Sequence, residues 1–203
     1  MARIRAQADV VEARAIFQAG SLAEQRIDWR AAYAHYARAA RLQPSNRQYA
    51  VAAGDLADKM DDYAAAASYN KAALNLATAE FGPDASETAT ALNNLALTYQ
   101  RLARYTEAEP VVRRAIAIDE KALGKDHPNV ARDYNNLAIL LQAQGKLAEA
   151  EPLFRRAIAI DEEAHGGPGL GKGGSGTWGE WMTRSAGRHR GDRSMSASTP
   201  AGR

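Results

Sequence analysis

Residues 82–123 read GPDASETATALNNLALTYQRLARYTEAEPVVRRAIAIDEKAL, and residues 124–165 repeat the same pattern without a gap. The two blocks are identical at 21 of their 42 positions, including the run RRAIAIDE at 113–120 and 155–162. A fixed period of this length is typical of repeat proteins, in which each unit buries its apolar face only by stacking on its neighbours. The duplication therefore predicts an elongated repeat architecture.

Two weaker units precede the duplication, and the first of them has a period of 34 residues. Every unit carries a small residue at its 8th, 20th and 27th positions, which are Gly20, Gly54, Ala96 and Ala138, then Ala32, Ala66, Ala108 and Ala150, then Ala39, Ala73, Ala115 and Ala157. Small side chains at fixed points allow two antiparallel helices to approach closely. Four helical hairpins are therefore predicted, at about 13–46, 47–88, 89–130 and 131–165, after a helical extension at 1–12.

Local sequence signals agree with helical hairpins. Thr106 followed by Glu109 has the form of a capping box, which predicts that a second helix starts there. Pro110 then falls in or just beyond the first turn, where the missing backbone donor does least damage. Gly82 and Gly124 stand at the connections between units, where glycine suits a left-handed helix end.

The composition changes sharply near residue 165. Eleven of the sixteen glycines lie beyond it, and residues 166–203 carry six Lys and Arg against two Asp and Glu. Such a Gly/Ser/Arg-rich segment cannot bury enough apolar surface to offset its ordering entropy, so we expect a disordered tail. Residues 1–165, with 20 basic and 22 acidic side chains, give no electrostatic case for binding nucleic acid or membrane.

Several classes of chemistry are not expected. The sequence has no cysteine, its four histidines show no metal-ligand spacing, and no catalytic constellation is visible, so neither an enzyme nor a cofactor is predicted. The glycine-rich run GGPGLGKG at 166–173 lacks the Ser or Thr, the preceding strand and the following helix that a phosphate-binding loop requires. No signal peptide or apolar run of membrane-spanning length is apparent, which favours a cytoplasmic protein.

The registered motifs resemble the tetratricopeptide repeat. The first unit fits its 34-residue pattern, with Gly20, Ala32, Tyr36, Ala39 and Pro44 in place. The last two units resemble the 42-residue repeats of kinesin light chains, with the strings NNLA, EAEP and RRAIAI and the connector LGKDHP at 123–128. The resemblance covers about residues 13–165. It implies an all-α, right-handed superhelical solenoid of four hairpins whose first helices line a concave groove.

In that family the groove usually binds an extended peptide or a helix of a partner protein, and the resemblance implies the same function here. The register places the following residues along the groove: Arg14, Phe17, Gln18, Gln48, Asp55, Asp58, Asn93, Asn94, Gln100, Arg101, Arg132, Asn135, Asn136 and Gln142. Asn94 and Asn136 are the strongest candidates, because related repeats carry at this position an asparagine ladder that holds a ligand's backbone. An amide side chain offers donors and an acceptor together and so matches a peptide group of any sequence.

One ligand class and one alternative function can be weighed from the sequence. The carboxylate clamp of chaperone cofactors requires Lys and Asn at positions occupied here by Phe17 and Ser21, so a C-terminal acidic ligand is not expected. Repeat solenoids normally end in a polar capping helix, and none is readable after 165, which places Phe154 and Ile158 beside an exposed end face. Either the chain is a truncated or frameshifted form of a longer signalling or scaffold protein, or its uncapped end associates with another copy.

Overall fold

The computed structural model describes residues 2–165, and this part of the chain forms eight α-helices and no strand. The helices are α1 (Ala2–Gln25), α2 (Trp29–Leu42), α3 (Arg47–Lys59), α4 (Tyr63–Phe81), α5 (Ser86–Arg101), α6 (Tyr105–Leu123), α7 (Pro128–Ala143) and α8 (Leu147–His165). Each helix packs against its neighbours in the chain, and α5 also touches α7. The predicted all-α solenoid of four hairpins is confirmed. The exact limits of the repeat units stay a prediction, and the predicted disordered tail lies outside the described residues.

The small residues that defined the register lie where the helices of each hairpin cross. All twelve are buried. A β-carbon added at Gly20 would lie 2.5 Å from the ring of Tyr36, so α1 and α2 approach more closely than even an alanine allows. The pattern of small residues therefore sets the helix spacing, as the sequence predicts.

The apolar core follows the solenoid as a series of clusters. The largest spans α5 to α8 and contains Val112, Leu137, Leu141 and Phe154. Phe154 is only 4% exposed and belongs to this cluster together with Leu137 and Leu141 of α7. Its predicted place beside an exposed end face stays a prediction. Ile158 is half-buried. Association through the solenoid end stays an untested alternative.

Each hairpin turn contains one residue in the left-handed conformation: Ile27 (φ 61°), Asp61 (φ 60°), Ala103 (φ 56°) and Gly145 (φ 78°). In the first turn, the amide of Ile27 donates to the carbonyl of Glu24 at 2.9 Å. The amide of Asp28 donates to the carbonyl of Ala23 at 3.0 Å, and the other three turns repeat both bonds. This pair of backbone hydrogen bonds is the Schellman motif, which normally has glycine at the left-handed position.

Replacing Ile27 with Gly is expected to raise the free energy of unfolding by about 1 kcal/mol. The left-handed conformation costs a residue with a β-carbon about 1–2 kcal/mol, and glycine avoids this cost. The greater conformational entropy of glycine in the unfolded chain offsets part of the stabilisation. Ile27 is 68% exposed, so little apolar burial is lost. Gly145→Ala, at the equivalent turn, should lower the same quantity by a similar amount. Urea unfolding of both variants measures these changes. An Ile27→Gly protein with a lower free energy of unfolding than the parent chain would contradict the prediction.

The start of α6 differs from the sequence prediction. Helix α6 begins at Tyr105 with Arg104 as its N-cap and no side-chain cap, so the predicted capping box at Thr106 is wrong. Glu109 instead accepts hydrogen bonds from Arg113 at 2.8 Å and from Lys146 at 3.0 Å, which ties α6 to the next hairpin turn. These donors lower the pKa of Glu109 to about 2.

The connections between units depart from left-handed geometry. Gly82 and Gly124 follow α4 and α6 with φ of 97° and 90° and ψ of 163° and 156°. This region requires glycine, but it is more extended than the left-handed helix end that the sequence suggests. The extended exit sends the chain away from the preceding helix and into the longer connector.

Candidate functional site

A cavity of about 450 Å³ opens between the second and third hairpins. Its walls come chiefly from α3 and α5, the first helices of these hairpins, with single residues from α1, α2 and α4. The lining residues are Glu24, Tyr36, Ala52, Asp55, Leu56, Asp58, Lys59, Asn70, Asn94, Leu97, Thr98 and Arg101. We call this cavity the α3–α5 groove.

Helical spacing explains why these side chains share one surface. On α5, Asn94, Leu97 and Arg101 are separated by three and four residues, which places them on one face of the helix. On α3, Asp55 and Lys59 have the same relation. The groove is therefore formed by two facing helical stripes of mixed polarity.

Two hydrogen bonds in the groove hold neighbouring helices together. Asn70 of α4 donates through Nδ2 to Oγ1 of the buried Thr98 at 2.9 Å, and Thr98 donates to the carbonyl of Asn94 at 3.0 Å. Tyr36 of α2 donates to Glu24 of α1 at 2.9 Å. Buried polar groups of this kind are costly when unpaired, so these contacts favour one arrangement of the helices.

The basic side chains of the groove are engaged within the protein. Lys59 donates to Glu24 at 2.9 Å and lies 4.8 Å from the centre of the Trp29 ring. Arg101 lies 3.6 Å from Asp58 and also stacks over a tyrosine ring. The pKa of Glu24 is lowered by its hydrogen bonds from Lys59 and Tyr36. Each cation thus already has a carboxylate and an aromatic neighbour.

Asp55 is the charged groove residue without such a partner. Its carboxylate forms no hydrogen bond or ion pair with any residue in the described part of the chain. Asp55 stays exposed to solvent at the open side of the groove, while partial burial by the walls raises its pKa. Lys59 opposes this increase, and the negative charges of Asp58 and Glu24 add to it.

The predicted ligand-binding residues fall into two groups by location. Asn94, Arg101, Asp55 and Asp58 line the α3–α5 groove. The other predicted residues lie outside its lining, on α1, α3, α5 or α7: Arg14, Phe17, Gln18, Gln48, Asn93, Gln100, Arg132, Asn135, Asn136 and Gln142. The side chains of Asn94 and Asn136 are half-buried and form no hydrogen bond within residues 2–165. Asn135, Gln100 and Gln142 are likewise half-buried without a side-chain hydrogen bond in this part of the chain.

Asn93 belongs to a buried polar cluster that joins the third and fourth hairpins. Its Nδ2 donates to Oδ1 of Asp133 at 2.6 Å, and Arg132 lies 3.5 Å from the same oxygen. Ser86 donates to Oδ1 of Asp119 at 2.8 Å. Burial raises the pKa of Asp133 to about 7, with Arg132 opposing the shift and the charge of Asp119 adding to it. Asn93 and Arg132 thus have partners inside the protein, and their roles in ligand binding stay predictions.

Leu97, Glu24 and Tyr36 are groove residues that sequence reasoning missed. Leu97 follows Asn94 by three residues, so helical spacing could have identified it. Glu24 and Tyr36 come from the hairpin before the groove, and only the packing of α1 and α2 against α3 brings them there. Within the described residues, no cluster of His, Cys, Asp or Glu could hold a metal ion. None of the eight described helices combines the length and apolarity that crossing a membrane requires.

These features define an α-solenoid of helical hairpins with a polar groove between its repeats. The chain matches the tetratricopeptide repeat family over residues 54–121 and 87–163, which together cover more than half of its length. It therefore belongs to the tetratricopeptide repeat family. Repeats of this family generally serve as protein interaction modules rather than catalysts.

Solved structures of similar fold include three repeat proteins. A Podosopora anserina protein described as a kinesin light chain with nearly identical TPR-like repeats shares 17% identity, with a TM-score of 0.67 and coverage of 75% of this chain and 76% of that chain. BtubC (BKLC) from P. vanneervenii shares 19%, with a TM-score of 0.65 and coverage of 98% and 96%. MamA from Desulfovibrio magneticus RS-1 shares 15%, with a TM-score of 0.61 and coverage of 74% and 76%. These identities show the fold alone, and the predicted likeness to kinesin-light-chain repeats is confirmed. No match was found among curated proteins.

Proposed function

We propose that the chain is a non-catalytic module that binds an extended segment of a partner protein along the first helices of its hairpins. The observation that carries the proposal is the unpartnered side chain of Asn94 in the α3–α5 groove, repeated by the unpartnered Asn136 one unit later. A half-buried amide without a partner gains most from a ligand that supplies both a donor and an acceptor, and a peptide group does so.

The spacing of the two amides supports an extended ligand. Asn94 and Asn136 stand 42 residues apart, at the same position of consecutive units, on α5 and α7. These two helices touch each other, which supports a surface shared by the two amides. A single segment crossing both helices could therefore bond to both amides at successive points of its backbone. Because backbone groups are recognised, sequence preference must come from the side-chain surroundings.

Replacing Asn94 and Asn136 together with Ala is expected to weaken peptide binding about tenfold or more, because each net amide hydrogen bond contributes about 1 kcal/mol. Peptides selected by the full chain from a random displayed library, then labelled and titrated by fluorescence anisotropy, provide the measurement. Asn75→Ala is the matched control, since Asn75 is exposed on α4, the second helix of its hairpin. Equal affinities for the double variant and the parent chain would contradict the assignment, and a failure to select any peptide would contradict the function itself.

A further inference from the structure

The charges of the α3–α5 groove do not balance. Three carboxylates line it, from Glu24, Asp55 and Asp58, against the two cations of Lys59 and Arg101. The contacts pair Lys59 with Glu24 and Arg101 with Asp58. One negative charge, on Asp55, is therefore left for an outside group to neutralise.

The position of Asp55 explains why its nearest cation does not serve it. Lys59 stands one helical turn after Asp55 and could in principle pair with it. It turns instead to Glu24 at 2.9 Å and to the face of Trp29 at 4.8 Å. Two attractive partners hold the ammonium in that place, and moving it to Asp55 would give up both.

Apolar side chains stand beside the unmatched carboxylate in the same groove. Leu56 is buried, Ala52 is half-buried, and Leu97 is 40% exposed although it is a large apolar residue. A ligand that is only charged would leave Leu97 in water. A long side chain with a methylene stem and a cationic end would cover the apolar wall and reach the carboxylate together.

We propose that the α3–α5 groove takes a lysine or arginine side chain of the bound segment, with Asp55 as its counter-ion. This inference rests on the proposed peptide-binding function and adds its specificity. Leu97 and Ala52 contact the methylene stem, and Asn94 holds the neighbouring peptide group of the ligand. Partial desolvation of Asp55, which raises its pKa, makes the carboxylate gain from an incoming cation.

An acidic ligand fits the same groove poorly. The cations that would receive it are already paired, and its charge would approach Asp55, Asp58 and Glu24. Like charges brought together at a binding surface select against the wrong partner. The groove therefore discriminates by repulsion of acidic segments as well as by attraction of basic ones.

Binding of peptide pools with a fixed central residue to the full chain tests the proposal. Each pool has blocked termini and one fixed central residue, Lys, Arg, Met or Glu, between four random positions on each side. The Lys and Arg pools are expected to bind the parent chain about three- to tenfold better than the Met pool, with the Glu pool weakest. Asp55→Asn should bring the Lys and Met pools to equal binding. Raising the salt concentration should reduce the preference in the parent chain only.

Asp84→Asn is the matched control, because it removes an exposed carboxylate on the connection between α4 and α5, outside the lining of the groove. It should keep the full preference for Lys and Arg. Equal binding of all pools by the parent chain, or a preference that survives Asp55→Asn, would overturn the inference. If all pools bind equally and replacing Asn94 and Asn136 still abolishes their binding, the proposed peptide-binding function stands and only the preference for basic side chains fails. If no pool binds at all, both fail.

Discussion

Replacing Asp133 with Asn is expected to abolish an increase in stability that the parent chain shows when the pH falls from 7.5 to 5. Asp133 is fully buried, and burial raises its folded-state pKa to about 7 from an ordinary value of 3.8. Between pH 5 and 7 the folded protein therefore holds a proton that the unfolded chain has already released. Stability decreases as the pH rises from 5 to 7.5, by on the order of 2 kcal/mol for a folded-state pKa of this size.

The buried cluster gives the proton a structural role. Oδ2 of Asp133, Oδ2 of Asp119 and Oδ1 of Asn93 are buried without a hydrogen-bond partner in the described part of the protein. A protonated Asp133 would supply a donor to this set of acceptors. The amide of an asparagine supplies a donor at every pH while keeping an acceptor for Asn93, so the variant should be stable without the proton.

The acid side of the profile has the opposite sign and a different origin. The lowered pKa of Glu109, about 2, means that its contacts to Arg113 and Lys146 add stability above pH 4.5. That contribution is lost as the pH falls from about 4.5 towards 2. From these two groups we therefore expect maximal stability near about pH 4 in the parent chain, where the gain from Asp133 and the loss from Glu109 balance.

Urea unfolding at pH 7.5, 6, 5, 4 and 2.5 separates the two limbs. Asp133→Asn should flatten the profile between 7.5 and 5 and leave the decrease at lower pH intact. Asp84→Asn, in which an exposed carboxylate is replaced, should keep both limbs. A parent chain with equal stability at pH 7.5 and 5 would show that the buried carboxyl holds no extra proton.

Replacing Ala108 with Leu is expected to lower the free energy of unfolding by about 3 kcal/mol, at the upper end of the usual cost of overpacking. Ala108 is fully buried in the cluster that joins α5 to α8 and occupies one of the registered small positions. Three added carbon atoms at that point must push α5 and α6 apart or force strained rotamers. The loss should spread to both flanking hairpins, because they share this cluster.

Ala122→Leu provides the control on the same helix, since Ala122 is exposed near the end of α6. An exposed substitution between two good helix formers changes stability by less than about 0.5 kcal/mol. Guanidinium unfolding of the two variants separates the effect of helix spacing on stability from the effect of exchanging alanine for leucine in a helix. Equal midpoints for both would show that the small residue at position 108 does not set the spacing.

The fold could be predicted from the sequence because the repeats present the same information several times. The small residues at positions such as Gly20, Ala66 and Ala108 each locate a helix crossing, and their register fixed four hairpins. Helix ends were less predictable, as Thr106 shows. There the pairing of Arg104 with Glu107 at 2.6 Å, and the reach of Glu109 to the next hairpin, depend on tertiary packing that a local motif does not encode.

The groove was only partly predictable for the same reason. Asn94, Arg101, Asp55 and Asp58 followed from their place in the repeat, which assigns each residue to a helix face. Which carboxylate stays unpaired could not follow, because the repeat does not say that Lys59 prefers Glu24 and Trp29. Side-chain pairing between hairpins is decided by rotamers and distances, and it varies from unit to unit while the backbone pattern stays constant.

The packing of each helix mainly against its neighbours in the chain has a kinetic consequence. Contacts between adjacent helices close short loops, and the cost of loop closure grows with the length of the loop. Proteins with mainly local contacts fold fast, on the microsecond to millisecond scale. A single hairpin leaves its apolar face uncovered, so folding starts where two neighbouring hairpins have paired. It can begin at any point of the solenoid and then proceeds by adding hairpins to an existing edge.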